Sequence, residues 1–302
     1  MEILLTGSSG FLGRYIQLTL HDHDVFTIGR NASNNLICDL SVEVPLLPNL
    51  FDIVVHCAGK AHSIPKSPAQ KQAFFDVNVQ GTANLLQSLT AKPPRCFVLI
   101  SSVAVYGLSS GVDVEESAPL LATDAYGLSK IKVEQLVQDW CSRHKVKYSI
   151  LRLPLLVGTN PPGNLGAMLQ GIEKGYYLNI AGGKARKSMV LAADVASIIS
   201  HVAEIGGIYN LTDGQHPSFA ELSNAMASSI NRNKPINMPF WPIKILALLG
   251  DRLGSKFPIS SQKLAKITSD LTFNDQAARR DFNWNPKPVL SLYQPQTNSN
   301  LP

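Results

Sequence analysis

A serine, a tyrosine and a lysine in this sequence could together move a proton. Tyr126 and Lys130 lie four residues apart in a stretch with helical periodicity, so both side chains project from one helix face. A free tyrosine titrates near pH ~10, and a neighbouring ammonium group lowers its pKa by favouring the phenolate. Ser102 ends an apolar strand pattern, where its hydroxyl could bridge a substrate oxygen and the phenol. We predict that Ser102, Tyr126 and Lys130 are the catalytic residues.

Glycines near the start of the chain could hold a phosphate. Gly7, Gly10 and Gly13 recur at every third position between a strand pattern and a helix pattern. The first permits a tight turn, the second lets the backbone approach a pyrophosphate, and the third lets the helix pack closely on the sheet. The helix N-terminus then presents unpaired N–H groups to the phosphates. Together with the proton-transfer residues, this turn predicts a nicotinamide cofactor. Its predicted contacts are Gly7, Ser9, Gly10, Phe11, Leu12, Gly13, Tyr126 and Lys130.

The end of the second predicted strand indicates which cofactor is used. An acidic residue at this position accepts hydrogen bonds from the adenine ribose and favours NAD. The sequence has Gly29-Arg30-Asn31 instead, so the acid is missing and Arg30 is available for a 2′-phosphate. NADP(H) is therefore favoured, with NAD as the alternative. Asp39 and Leu40, after the third strand, are predicted to contact the adenine end of the cofactor.

Strand and helix patterns alternate through the first half of the chain. This alternation predicts an α/β fold, a Rossmann-type doubly wound parallel sheet with a smaller C-terminal substrate-binding lobe. Helices are expected at about 69–89 and 124–144. We predict a cofactor-binding domain over residues 1–160, joined by later elements near 186–212. Residues 161–302 are predicted to form mainly the substrate-binding lobe.

The composition is that of a globular protein and excludes several classes of function. Hydrophobic residues make up 45% and charged residues 16%, with a net charge of +5 and no basic stripe typical of nucleic-acid binding. The four cysteines lack metal-ligand spacing, which predicts no metal site and a reducing, cytoplasmic location. No apolar run reaches membrane-spanning length. The nearest, Phe240 to Leu249, is interrupted by Pro242 and Lys244, and predicts a packed helix, with peripheral membrane contact as the alternative.

Several motifs together resemble those of the extended short-chain dehydrogenase/reductases of the NAD-dependent epimerase/dehydratase family. The matching segments are Thr6 to Gly13, His56-Cys57-Ala58-Gly59, Asn78-Val79-Gln80-Gly81-Thr82, Ser101 to Gly107, Tyr126 to Lys130, and Leu151-Arg152-Leu153-Pro154. The resemblance covers nearly the whole chain. It implies a Rossmann domain, a lobe that binds a nucleotide-diphosphate sugar, and the same three catalytic residues. It also implies that Cys57, Ala58 and Gly59 contact the cofactor.

Three reactions are common in the family that the sequence resembles: 4,6-dehydration, C4 epimerisation and reduction of a 4-keto sugar. Family dehydratases carry an Asp-Glu pair directly after the catalytic residue that corresponds to Ser102. This sequence has Val103-Ala104 there, so dehydration is not expected. The missing acid after the second strand favours a 4-ketoreductase slightly over a 4-epimerase. A non-catalytic NAD(P)-binding sensor is the alternative from another class, although such proteins usually lack the tyrosine or the lysine.

The resemblance also bears on the substrate and on assembly. Asn164 follows a Pro-Pro-Gly loop and resembles the family's nucleotide-sugar contact. Arg186 and Lys187 lie in a basic stretch after a glycine loop and are predicted to bind a diphosphate, although an ordinary solvated charge run would look the same. A homodimer through the two long helices is what the family implies.

Overall fold

The structure is a computed structural model that describes residues 1–61, 63, 65–253 and 260–294. Its strands in this part of the chain are β1 (Glu2–Thr6), β2 (Asp24–Gly29), β3 (Leu36–Ile37), β4 (Ile53–His56), β5 (Cys96–Ser102), β6 (Gly111–Val114), β7 (Lys147–Leu153), β8 (Leu155–Val157), β9 (Leu178–Ile180), β10 (Met189–Leu191), β11 (Gly207–Asn210), β12 (Ile236–Met238) and β13 (Leu271–Phe273).

The helices alternate with these strands in the first half and dominate the second. They are α1 (Phe11–Thr19), α2 (Pro68–Phe74), α3 (Gly81–Leu89), α4 (Ala125–His144), α5 (Gly163–Glu173), α6 (Ala192–Ser197), α7 (Ile199–Ile205), α8 (Phe219–Ser229), α9 (Phe240–Leu253), α10 (Ser261–Thr268) and α11 (Gln276–Phe282). A π-helix over Phe75–Gln80 joins α2 to α3, and 3-10 helices lie at Val103–Tyr106, Ala181–Gly183 and Val289–Tyr293.

A seven-stranded parallel sheet forms the centre of the molecule. Its strand order is β11-β7-β5-β4-β1-β2-β3. The chain winds outward from β1 in one direction to β3 and then crosses back to add β4, β5, β7 and β11. This is the doubly wound Rossmann order, with the reversal of winding between β1 and β4. The predicted fold class is confirmed.

Helices cover both faces of this sheet. Successive residues of β5 face opposite layers: Phe97 and Leu99 contact one apolar cluster and Val98 the other. The first cluster contains residues of α3 and α4, and the second contains residues of α1, α6 and α7. Because both faces of the central strands are buried, these strands are apolar at nearly every position.

The later part of the chain contributes to the central sheet and its covering layer, and also forms a second core. The strand β11 joins the central sheet, and Ala278 and Phe282 of α11 pack in the cluster under α1. A separate core gathers residues of α5, β10 and α8, including Leu165, Met189 and Leu222. The domain boundary at residue 160 stays a prediction.

The predicted long helices differ from the observed ones in one respect. The helix expected at 69–89 is present, but its middle turn is the π-helix that contains Asn78. The helix expected at 124–144 is α4, and Asp124 is its N-cap, accepting hydrogen bonds from the N–H groups of Tyr126 and Gly127. The extra residue of a π-turn changes which side chains face the sheet, and periodicity of 3.6 residues does not reveal it.

Candidate active site

The carboxyl ends of the parallel strands bring the predicted site residues to one edge of the sheet. Thr6 and His56 are paired at the ends of β1 and β4, and Ser102 and Leu153 at the ends of β5 and β7. Ligands bind at this edge in open α/β sheets, at the point where the winding reverses. Residues from separate parts of the chain therefore meet where the glycine turn begins.

The glycine turn after β1 is shaped so that side chains cannot enter it. Gly7 has φ +74°, and a Cβ added there would lie 2.6 Å from the backbone nitrogen of Ala58. A Cβ on Gly13 would lie 2.0 Å from the carbonyl oxygen of Gly7. The Gly7 oxygen also accepts a hydrogen bond of 2.9 Å from the N–H of Gly10, which caps α1. This close backbone cradle at a helix N-terminus fits a cofactor pyrophosphate.

A buried hydrogen-bond chain fixes the loop opposite the glycine turn. The Thr6 hydroxyl lies 2.7 Å from Nδ1 of His56 and accepts a hydrogen bond of 3.1 Å from the N–H of Ala58. On the other side of the ring, Nε2 lies 2.9 Å from the hydroxyl of Thr82, which donates to the carbonyl of Asn78. Since the Thr82 proton is committed to that carbonyl, Nε2 carries the imidazole proton and Nδ1 accepts. His56 is therefore a neutral positioning residue for the loop at Ala58.

Lowering the pH should reduce the free energy of unfolding because of His56. Burial, and then the charge of Lys130, lower the pKa of His56 from 6.5 to about 3. Below pH ~6.5 the unfolded chain binds a proton that the folded chain does not, so stability falls with falling pH by up to about 1.4 kcal/mol per unit. We expect His56→Gln to flatten this slope between pH ~6.5 and pH ~5 in urea titrations. The surface variant His21→Gln is the control, and an unchanged slope in His56→Gln would contradict the assignment.

Lys130 is buried beneath the loop that His56 supports. Its ammonium donates a hydrogen bond of 2.9 Å to the carbonyl oxygen of Ile100, and burial lowers its pKa. A Cβ on Gly59 would come within 3.4 Å of Nζ, so Gly59 leaves the approach to the ammonium open. Asn78 holds the neighbouring backbone, because its side-chain oxygen accepts from the N–H of Lys60 at 2.6 Å.

Tyr126 and Ser102 come together because α4 contacts the segment after β5. A Cβ on Gly127 would lie 2.4 Å from Cβ of Ala122 and 2.8 Å from the carbonyl of Ala104. The glycine thus lets the first turn of α4 lie directly against the 3-10 helix that follows Ser102. Sequence reasoning gave Gly127 no role, although a glycine beside the tyrosine, inside a helix pattern, was a visible signal.

The pKa of Tyr126 differs in direction from the sequence expectation. Burial raises the pKa of the phenol, and the Ser102 hydroxyl, by hydrogen bonding, opposes this rise. The predicted lowering by Lys130 is wrong for this structure, since the lysine ammonium is directed to the Ile100 carbonyl. The resting phenol is protonated at neutral pH and lies beside Ser102, with its ring 6.0 Å from that of Phe74.

A buried ion pair lies on the same face of α4. Glu134, four residues after Lys130, pairs with Arg152 of β7 at 2.8 Å, and the two side chains are 1% and 4% exposed. The carboxylate also accepts a hydrogen bond of 2.5 Å from Ser101, the neighbour of Ser102. Arg152 further donates to the hydroxyl of Tyr106 at 3.0 Å. This network fixes α4 to β5 and β7 behind the candidate catalytic residues, and sequence reasoning assigned Glu134 no role.

The predicted adenine end of the site is only partly organised around the predicted residues. Arg30 is exposed and directly follows β2, the position from which a side chain can contact a 2′-phosphate. The carboxylate of Asp39 accepts a hydrogen bond of 2.6 Å from the hydroxyl of Ser41. This bond, a second one from the backbone N–H of Ser41 and the charge of Arg30 lower the pKa of Asp39. Leu40 contributes its carbonyl to the side chain of Asn84. Asn34, which sequence reasoning missed, accepts a hydrogen bond of 2.8 Å from Ser8 in the glycine turn.

The predicted substrate residues separate into exposed and buried groups. Asn164 is exposed in the first turn of α5, and Arg186 is half exposed, 3.8 Å from Glu221. Lys187 is 9% exposed, and its ammonium donates to the carbonyls of Lys266 and Ser269 at 3.1 and 2.8 Å. The Lys187 ammonium thus lies at the C-terminal end of α10, where carbonyl groups lack helical partners. Binding of a diphosphate by Lys187 stays a prediction.

The family comparison defines the class of protein. The model of the NAD dependent epimerase/dehydratase family matches residues 3–212, more than half of the chain. The chain belongs to this family, and it is an NAD(P)-dependent enzyme of the extended short-chain dehydrogenase/reductase type. Within the described residues, no helix combines the length and hydropathy needed to cross a membrane.

Individual relatives cover nearly the whole chain. N-acetyl-α-D-glucosaminyl-diphospho-ditrans,octacis-undecaprenol 4-epimerase from Escherichia coli O157:H7 is 27% identical, covering 90% of this chain and 87% of that protein. UDP-glucose 4-epimerase from Vibrio cholerae is 24% identical, with 96% and 92% covered.

Solved structures share the fold. UDP-glucose 4-epimerase from Thermotoga maritima, solved with UDP-glucose, has a TM-score of 0.76 at 18% identity, with 97% of each chain covered. A human epimerase family protein with NADPH has the same TM-score and identity, with 97% of this chain and 98% of that chain covered.

Proposed function

We propose that this enzyme is a 4-epimerase of a hexose linked to a diphosphate. The observation that carries the proposal is the meeting of Ser102 and Tyr126 at the carboxyl edge of the sheet, beside the glycine cradle and the buried Lys130. Both relatives described above are 4-epimerases, and this supports C4 of the sugar as the carbon at which the reaction takes place. Their substrates share a sugar joined to a diphosphate, carried by a nucleoside in one relative and by undecaprenol in the other.

The residues of this chain would supply the proton transfer and the positioning. A bound nicotinamide ring supplies the capacity to accept and return a hydride at C4. Once deprotonated to the phenolate, Tyr126 would take the proton from the 4-hydroxyl oxygen as C4 is oxidised, and return it to the same oxygen after the sugar has turned over. Ser102 would hold that oxygen through its hydroxyl, and Lys130 would bind the ribose hydroxyls of the cofactor. Val103 and Ala104 carry no acid or base, so an elimination at the neighbouring carbons is not expected.

A 4-ketoreductase is the second candidate, and the loop after β2 favours it. The loop offers Arg30 and no acid to the adenine ribose, which suits NADP(H), a cofactor that is exchanged at every turnover. The protonated phenol of Tyr126 is also the form that donates to a 4-keto oxygen. Arg186 and Asn164, both accessible in the lobe, are the proposed contacts of the diphosphate sugar in either reaction.

The cofactor content separates the two reactions. For an epimerase, we expect denaturation of the purified protein to release NAD that mass spectrometry identifies, and UDP-sugars to epimerise without added cofactor, as followed by NMR at C4. Stoichiometric oxidation of NADPH with a 4-keto sugar would replace the epimerase by the reductase. If neither dinucleotide binds, the catalytic proposal fails.

Arg30 gives a matched test of cofactor preference. If its guanidinium binds a 2′-phosphate, Arg30→Ser should weaken NADPH binding by about 10–100-fold, the worth of a charge-assisted hydrogen bond, and leave NADH binding unchanged. Calorimetric titration with both dinucleotides measures the difference, with the exposed Arg95→Ser as control. Equal losses for the two cofactors would remove Arg30 from the 2′-phosphate site.

A further inference from the structure

The helix α9 exposes an apolar face. Trp241, Ile245, Leu248 and Leu249 stand at positions i, i+4, i+7 and i+8, the spacing of one helix face, and they are 68%, 53%, 53% and 47% exposed. Phe240 and Leu246 flank them, each 46% exposed. Scattered exposed apolar side chains are ordinary, but a contiguous patch on one helix marks an interaction surface.

The opposite face of α9 is the one that holds the helix to the protein. Ile243 and Ala247 are buried, 3% and 0% exposed, in a small core with Leu264 of α10, Ile180 and Met238. The helix is therefore anchored through one narrow face while its broader apolar face is directed outward. Packing among the described residues does not account for the outward residues, so their apolar character calls for a contact outside the described part of the chain.

The sequence segment that contains this helix is strongly basic. Residues 230–268 contain seven lysines and arginines (Arg232, Lys234, Lys244, Arg252, Lys256, Lys263, Lys266) and one acid, Asp251. Of the 27 basic and 22 acidic residues in the whole chain, this leaves 20 basic and 21 acidic residues elsewhere. The segment carries a net charge of +6, whereas the remainder of the chain carries −1. The surplus positive charge of the chain is thus concentrated in the sequence segment that contains this helix.

We propose that α9 docks on the surface of an anionic phospholipid bilayer. Leu, Ile, Phe and Trp side chains on one helix face, with basic residues beside them, are the composition of a helix that lies in the membrane interface. Lys244 and Arg252 are exposed on α9, at positions that reach lipid headgroups as the apolar face enters the acyl boundary. A protein partner would need an apolar groove, and it would give no reason for a surplus of six positive charges. This surface goes beyond the proposed reaction, and its test uses no substrate.

Binding of the full chain to vesicles tests the proposal. We expect the protein to sediment with vesicles that contain phosphatidylglycerol and phosphatidylcholine, and far less with phosphatidylcholine alone. Trp140 and Trp284 are 5% and 3% exposed, so a blue shift of tryptophan fluorescence on binding reports Trp241. Trp241→Phe should abolish the shift and keep the sedimentation. Binding that does not depend on the anionic lipid, or that leaves the fluorescence unchanged, would overturn the proposal.

Paired variants separate the apolar contribution from the charge. Leu248→Ser and Leu249→Ser should each weaken vesicle binding by about tenfold, because each removes a side chain that enters the acyl region. Lys244→Gln and Arg252→Gln should each weaken it by about fivefold, corresponding to ~1 kcal/mol per basic residue. Leu18→Ser, an exposed leucine of α1, and Lys71→Gln of α2 are the matched controls and should change nothing. All these positions are on the surface, and thermal unfolding verifies that the variants fold.

A second copy of this chain is the competing occupant of the same face. Sedimentation velocity of the wild type and of Leu248→Ser distinguishes the two. If Leu248→Ser converts an oligomer into a monomer and leaves vesicle binding intact, α9 is a protein interface and the membrane proposal is wrong. An unchanged oligomeric state together with lost vesicle binding supports it.

Discussion

Replacing Tyr126 with phenylalanine is expected to lower kcat by about 10²–10⁴-fold, the usual contribution of one positioned proton-transfer group. The substitution removes only the phenol oxygen. The ring that packs near Phe74 stays, and Asp124 still caps the first turn of α4 through backbone N–H groups. We therefore expect dinucleotide binding and thermal stability to match the wild type.

Steady-state kinetics with whichever UDP-sugar the wild type epimerises, together with calorimetric titration of the cofactor, test this expectation. Tyr176→Phe is the control, since Tyr176 is 63% exposed in the lobe. The pH profile adds a second readout. Because the pKa of Tyr126 is raised, oxidation of the sugar hydroxyl should accelerate with rising pH in the wild type, and the variant should lose this dependence. Full activity of Tyr126→Phe with an unchanged profile would show that another group moves the proton.

Replacing Glu134 with glutamine is expected to destabilise the fold by about 3–5 kcal/mol, the effect of leaving one member of a buried ion pair unpaired. The guanidinium of Arg152 contacts both carboxylate oxygens of Glu134, with Nη2 at 2.8 Å and Nε at 3.2 Å. The Tyr106 hydroxyl and the Glu116 carbonyl would remain as its partners. Neither of these partners carries a negative charge, so the arginine would lose its direct ion pair while it stays buried.

Urea denaturation measures this loss as a change in the free energy of unfolding. The exposed pair of Arg95 and Glu204, which lie 2.6 Å apart and are 58% and 44% exposed, gives the matched control. Glu204→Gln should cost less than about 1 kcal/mol, because solvent screens a surface pair. A double variant, Glu134→Leu with Arg152→Met, should recover much of the loss, since no charge is then left buried. Equal small effects of Glu134→Gln and Glu204→Gln would contradict the importance of the buried pair.

The parts of this protein that depend on local spacing could be predicted from the sequence. The strand, glycine turn and helix at residues 2–19 follow from apolar periodicity and from the need for small residues at Gly7 and Gly13. The common face of Tyr126 and Lys130 follows from the 3.6-residue repeat of α4. Alternating strands and helices were sufficient for the fold class, because parallel strands require crossover helices.

The parts that depend on contacts between distant residues follow only from the folded structure. Thr6, His56 and Thr82 form one hydrogen-bond chain, although the sequence separates them by 50 and 26 positions. The buried ammonium of Lys187 donates to the carbonyls of Lys266 and Ser269 at the end of α10, whereas its neighbour Arg186 stays half exposed, and their adjacent positions predict no such difference. The pKa of Tyr126 rises because burial outweighs the effect of Ser102. Desolvation, hydrogen-bond partners and the outward direction of a helix face arise only when the chain is packed, and local spacing does not contain them.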